Sequence, residues 1–186
     1  MKKKYSGIRR AIFCGILALA SFLLLPKETF CQASYGQQIA VMKIVNPNLK
    51  VIGVFGSGLS DKTVQDLARA GLGQGVTVIV GRPKDAREIS AIYKKMTSEK
   101  KVQMIWLPDE NDNLMLGVGF EFLRSTTLPD KIGLCVPNQA LLASGALCSI
   151  HVESGKVTAY VNPQIAGLIG ATVPTDQSSG IAFVSR

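Results

Sequence analysis

The sequence predicts an α/β fold: an open, mostly parallel, doubly wound sheet with helices on both faces. Three observations predict it. The run at residues 51–55 is apolar on both faces, and mainly apolar runs of strand length recur at 76–80, 102–107 and 132–136. Strands covered on both sides in a parallel sheet read that way, whereas half-exposed strands alternate. Amphipathic segments of helical period separate the runs, giving a β-α-β-α-β-α-β series with right-handed crossovers. Turns rich in Gly, Pro and Asn follow several of the runs. In such sheets ligands sit outside the carboxyl ends of the strands, where these turns lie.

The elements follow in order. Residues 34–50 read as a helix with a partial stripe of Ile39, Ala40, Met42, Lys43 and Ile44, stopped by Asn46-Pro47-Asn48. Val51-Ile52-Gly53-Val54-Phe55 is the first strand. Gly56-Ser57-Gly58-Leu59-Ser60 is a glycine-rich turn. The helix from Asp61 carries Val64, Leu67, Ala68 and Gly71 on one face. Ser60 suits its N-cap, because its hydroxyl accepts from an early helical N–H. Val76-Thr77-Val78-Ile79-Val80 is a β-branched second strand. Asp85-Ala86-Arg87-Glu88 fits a capping box, and Ile89, Ile92, Tyr93 and Met96 form the apolar face behind it. The third strand, 102–107, ends in the polar loop Pro108-Asp109-Glu110-Asn111-Asp112-Asn113. A helix is expected over 114–124, a fourth strand over 132–136 and a short helix over 139–143. A fifth strand over 145–152 turns at Glu153-Ser154-Gly155-Lys156 into a hairpin partner at 157–161. Residues 163–169 read as the last helix, and 175–186 as a polar tail outside the domain.

The N-terminus does not read as fold. Lys2, Lys3, Lys4, Arg9 and Arg10 precede an apolar stretch at 11–25, and Cys31-Gln32-Ala33 offers small residues where a signal peptidase reads. That stretch is short for a membrane span, so the expectation is a signal peptide over 1–33 cleaved near Ala33. An uncleaved anchor is the alternative. The domain then covers 34–174. The formal charge of +8 is mostly leader: without residues 1–33, 15 basic side chains face 12 acidic ones, leaving +3. No basic cluster in the remainder is interleaved with aromatics, which argues against a nucleic-acid partner. Lys94, Lys95, Lys100 and Lys101 suit a solvated helix end. Cys135 and Cys148 lie in apolar runs. In an oxidising compartment they could pair, but buried free thiols are the favoured reading.

Catalytic chemistry finds little support. His151 is the single histidine and falls in a strand with no Ser or Cys nucleophile motif nearby, so a structural role is favoured. The turn at Gly56 lacks the third glycine of a dinucleotide fingerprint, and no phosphate-loop pattern exists. Asp109, Glu110 and Asp112 read as a solvated loop rather than a hard-cation site. Neither a cofactor nor a metal is expected. Trp106 closes a buried strand and reads as core.

Certain stretches carry a resemblance. Tyr35-Gly36-Gln37-Gln38-Ile39, followed by 45–54 (Val45-Asn46-Pro47-Asn48-Leu49-Lys50-Val51-Ile52-Gly53-Val54), resembles the entry into the second lobe of an ABC-transporter substrate-binding protein. The subgroup is the uncharacterised one that includes tryptophan/tyrosine binders with a type I periplasmic binding fold. Leu107-Pro108-Asp109-Glu110-Asn111, Ser144-Gly145-Ala146-Leu147-Cys148-Ser149 and the closing stretch 161–174 resemble later motifs of the same lobe, in order. The match covers the second lobe alone, where the family clamps its ligand between two.

Carried over by position, the resemblance implies ligand contacts from Gly56, Ser57 and Gly58, from Asp109, Glu110 and Asn111, from Asn138 and Gln139, and from Glu153, where the family tends to place an aspartate. Backbone N–H groups at a helix start suit a carboxylate, and an acidic side chain suits an ammonium group, so the implied ligand is amino-acid-like. The implied setting is periplasmic, with an ABC permease or a second chain as partner. An isolated lobe would expose an apolar patch, which points to self-association as a homodimer. Two readings stand: an exported, non-catalytic solute-binding-like module, and an exported interaction or accessory protein that kept the lobe fold and lost its ligand. A receiver-like signalling domain is disfavoured by export and by the absence of an acidic pair after the first strand.

Overall fold

The computed structural model describes residues 33–153, 155–173 and 181–185. The leader expected over 1–33 and its cleavage fall, but for Ala33, outside them. Among the described residues no helix is long and apolar enough to cross a membrane.

Helix α1 (Tyr35–Val45) opens the fold on a capping box: the Gln37 amide donates to Ser34 Oγ at 3.3 Å, and the Ser34 amide donates to Gln37 Oε1 at 2.9 Å. Its buried stripe is Gln38, Ile39, Val41, Met42 and Val45, so the stripe read from the sequence was rotated: Lys43 and Ile44 are only half-buried. Strand β1 (Val51–Phe55) leads into helix α2 (Asp61–Gly73), where Ser60 caps by accepting from the Thr63 amide at 3.1 Å. Strand β2 (Thr77–Gly81) precedes helix α3 (Ala86–Ser98). Asp85 accepts from the Arg87 and Glu88 amides, while Glu88 reaches one residue further back than a capping box requires, to the Lys84 amide.

Strand β3 (Met104–Trp106) is shorter than the apolar run that announced it. The helix expected over 114–124 is two pieces, a π-helical turn (Met115–Gly119) and helix α4 (Phe120–Thr127). Gly117 breaks the ladder with φ −93° and ψ −110°, a backbone state that apolar periodicity does not reveal. Strand β4 (Gly133–Val136) is followed by a 3₁₀ turn (Gln139–Leu142). Strand β5 (Cys148–Glu153) starts later than expected, because Gly145, at φ +107°, is still turning the chain. It pairs with β6 (Lys156–Val161) as the expected hairpin. Helix α5 (Pro163–Ile169) has Asn162 as N-cap and ends on Gly170 at φ +73°, a left-handed stop.

The tail was not wholly outside the fold. Ala182–Ser185 forms a seventh strand, β7, parallel to β6 with Thr158 opposite Ala182 and Val161 opposite Ser185. Four residues are too few for a pattern among Ser and Gly, but β6 offers an unpaired row of N–H and C=O groups that a short segment can take up.

The sheet runs β2-β1-β3-β4-β5-β6-β7 and is parallel except between β5 and β6. This is an open α/β sheet of the doubly wound kind. Side chains alternate between two cores. On one face Ile52, Val54, Met104 and Trp106 meet Ile39, Met42, Leu67 and Ala166 from α1, α2 and α5. On the other, Phe55, Ile105, Leu134 and Val136 meet Ile89, Tyr93, Met96, Phe120 and Leu123 from α3 and α4. Gly53 faces the second core because no larger residue fits: a Cβ there would lie 2.9 Å from Ile105 Cδ1 and 3.0 Å from Met96 Sδ.

Candidate functional site

The chain leaves β1 towards β2 on one side and returns over the sheet to β3 on the other. The loops leaving the carboxyl ends of β1 and β3 therefore part company at one place, the switch point where open α/β sheets form a crevice. Since β1 to β5 are parallel, their carboxyl ends share one rim. Gly56, Ser57 and Gly58 follow β1; Asp109, Glu110 and Asn111 follow β3; Asn138 and Gln139 follow β4; Glu153 ends β5.

Contacts within the rim are specific. Asp112, buried at 7 % exposure, accepts from the Ser57 amide at 2.6 Å, from Ser57 Oγ at 2.8 Å and from the Met115 amide at 3.1 Å. One carboxylate thus ties the β1 turn to the β3 loop across the switch point through three charge-assisted hydrogen bonds. Asp112 is therefore a buried tie between two loops, where the sequence leads one to expect a solvated loop residue. The overlooked signal was its spacing, since Asp three residues before Met115 is an N-cap pattern. Arg82, just beyond β2, donates to Leu59 O at 3.2 Å and to Asp61 Oδ1 at 2.7 Å, pinning the other side of the same turn. Gly56 is buried, and a Cβ there would lie 2.7 Å from Leu59 Cγ.

The other implied residues are partly engaged in local structure. Asp109 Oδ1 accepts from the Asn111 amide at 2.8 Å, shaping the loop. Asn138 Oδ1 caps the 3₁₀ turn by accepting from the Ala140 amide at 2.8 Å. Glu153 Oε1 accepts from Tyr160 Oη at 2.5 Å, across the β5–β6 hairpin. Ser57, Gly58, Glu110, Asn111, Asn138 and Gln139 are exposed, while Asp109 and Glu153 are half-buried.

Three further side chains flank this rim: Tyr35 and Tyr160, which the sequence does not mark as site residues, and His151, which it marks as structural. Tyr35 packs edge-on to Trp106, with centroids 5.8 Å apart. Its hydroxyl is pushed above the ordinary tyrosine value by burial first, then by the charges of Asp66 and Asp109. His151 and Tyr160 meet edge-on at 6.0 Å on the face that also carries Glu153. Burial pushes the His151 imidazole down, against the upward pull of Glu153 and Glu110. Tyr35 comes from a helix far in sequence from the strand-end loops, and Tyr160 reaches Glu153 only across the β5–β6 hairpin, so no motif spacing gathers them. A cavity of about 380 Å³ lies elsewhere, between β2 and α3, lined by Ile79, Ile92 and Met96 together with Arg82, Lys95 and Lys100.

Comparison with known proteins bears on the fold. No protein-family model matches the chain, and no curated protein sequence matches it. Solved structures do. One is the ABC domain from Streptococcus pneumoniae in complex with L-Trp, at 22 % identity and a TM-score of 0.66, covering 81 % of this chain and 62 % of that one. Another is a ligand-free, open substrate-binding protein with adhesive properties from Clostridium difficile, at 17 % identity and a TM-score of 0.64, covering 82 % and 60 %. A third is a conserved domain protein from Vibrio cholerae, at 14 % identity and a TM-score of 0.65, covering 82 % and 60 %. The chain spans about three fifths of the length of each of these structures. At these identities the likeness is one of fold: this chain is built like a single lobe of an ABC-type substrate-binding protein.

Proposed function

We propose that this protein is an exported, non-catalytic, solute-binding-like component whose strand-end rim takes a small amino-acid-like ligand. The observation that carries the reading is the bridged switch point. Asp112 fixes the Ser57 turn beside the start of α2, where the helix presents unpaired N–H groups and the positive end of its dipole. A ligand carboxylate would meet that helix start. An ammonium group would meet Glu153 or Asp109, both half-buried on the same rim. Tyr35 would offer an aromatic wall. The L-Trp bound by the Streptococcus protein is a ligand of this chemistry. Export rests on the basic and apolar pattern of residues 1–33. A permease or a second chain completing the clamp is the partner that the fold suggests.

A second reading is favoured by a different observation. Asp112 and Glu153, two of the rim's acidic groups, already accept hydrogen bonds from the protein itself. An interaction protein that kept the lobe and lost its ligand would look like that. A thermal-shift screen with the common amino acids separates the two. The ligand reading expects stabilisation by at least one amino acid, reduced in Glu153→Gln. No shift at millimolar ligand would leave the interaction protein standing.

A further inference from the structure

We propose that Cys135 and Cys148 are joined by a disulfide across β4 and β5, made by thiol–disulfide exchange while the chain folds. The two residues are direct register partners on neighbouring parallel strands. Side chains of such partners leave the sheet on the same face, and both cysteines lie in the core formed by α1, α2 and α5. Neighbouring strands run about 4.8 Å apart. That falls inside the roughly 4.4–6.8 Å between Cα atoms that a disulfide spans. Both thiols are free and buried in this structure, and burial first, then the neighbouring Cys148, pushes the Cys135 thiol well above its ordinary value. The row they occupy runs Trp106, Cys135, Cys148, Val161 across four strands, so each sulfur has the other as its polar neighbour within the row.

Burial decides when the bond can form. Cys135 is 1 % exposed and Cys148 is fully buried. In the finished fold neither sulfur is accessible, and thiolate, the attacking species, is scarce. The exchange therefore belongs to the folding chain, before α1 and α5 close over that face. One cysteine thiolate attacks a small disulfide of the glutathione class and expels one thiol, leaving a mixed disulfide. The second cysteine thiolate attacks the protein sulfur of that mixed disulfide and expels the other thiol. Two thiols of the protein lose two protons and two electrons, and the small disulfide is reduced to two thiols. The product staples the strands whose carboxyl ends carry Asn138 and Glu153, and this holds whether or not the rim binds a ligand.

The test uses the full chain, including Cys14 and Cys31. Unfolded, reduced protein is refolded across a series of oxidised-to-reduced glutathione ratios, alkylated in denaturant, digested and mapped by mass spectrometry. The expected result is a peptide pair linked through Cys135 and Cys148, lighter by two hydrogens than the reduced peptides. The bond should resist added reductant until denaturant is present, and the oxidised protein should melt higher than the reduced one. Recovery of Cys135 and Cys148 as separately alkylated thiols at every ratio would overturn the proposal. So would finding either one bonded only to glutathione, Cys14 or Cys31.

Discussion

At the scale of single residues, His151 shows how two opposed effects resolve. Ser149 Oγ lies 2.7 Å from its Nε2, and the Tyr160 ring stands edge-on beside it. Two carboxylates favour the charged imidazolium, yet burial outweighs them and the folded value lies below the ordinary 6.5. The unfolded chain therefore binds a proton more readily than the native one. Stability from this group is present above about pH 6.5 and is lost as pH falls through the depressed folded value. Melting temperatures measured from pH 7.5 downwards, on the order of two pH units, should fall, and His151→Gln should flatten that slope. A histidine melt independent of pH in this window would contradict the burial argument. The sequence supported a satisfied structural role for His151, but it did not disclose the partners. Ser149 and Glu153 share its face because they lie two residues away on β5, whereas Tyr160 joins them only because β5 and β6 pair in one particular register.

At the scale of elements, most of the architecture was legible because it is written in local chemistry. Buried strands are apolar on both faces, and Ser60 and Asp85 cap the helices they precede. What was not legible was backbone geometry inside an apolar pattern, as at Gly117, and the phase of the α1 stripe, where Gln38 is buried and donates to Ala33 O at 2.7 Å. Gly71 was read only as part of a helix face, but it has a sharper role. A Cβ there would meet Val78 Cγ2 at 2.5 Å and the Val76 carbonyl at 2.7 Å. Overpacking of this kind costs about 1–3 kcal/mol, against a helix-propensity gain of up to about 1 kcal/mol for alanine. Gly71→Ala should therefore destabilise the protein by about 1–2 kcal/mol in urea denaturation. Gly73→Ala, with nothing within 4 Å, should be neutral or slightly stabilising.

For the whole molecule, the parallel run from β1 to β5 is what gathers loops distant in sequence onto one rim, so the candidate site could be located from the sequence as a set of strand ends. The bridge through Asp112 and the aromatic flank of Tyr35 could not, since both depend on how the layers meet. Strand β7 is the other large-scale surprise. It covers the open side of β6, and Phe183 packs on one core while Val184 packs on the other. Deleting residues 181–186 should lower the melting temperature and promote association through the bared β6 edge, read by light scattering. A monomer of unchanged melting temperature would show that β7 adds nothing. The position of Trp106 carries a last consequence. It is the chain's one tryptophan, 1 % exposed at the end of β3, edge-on to Tyr35 and in register with Cys135. Its intrinsic fluorescence is therefore a label-free optical reporter, able to register events at the crevice through the tyrosine and in the interior through the neighbouring sulfur.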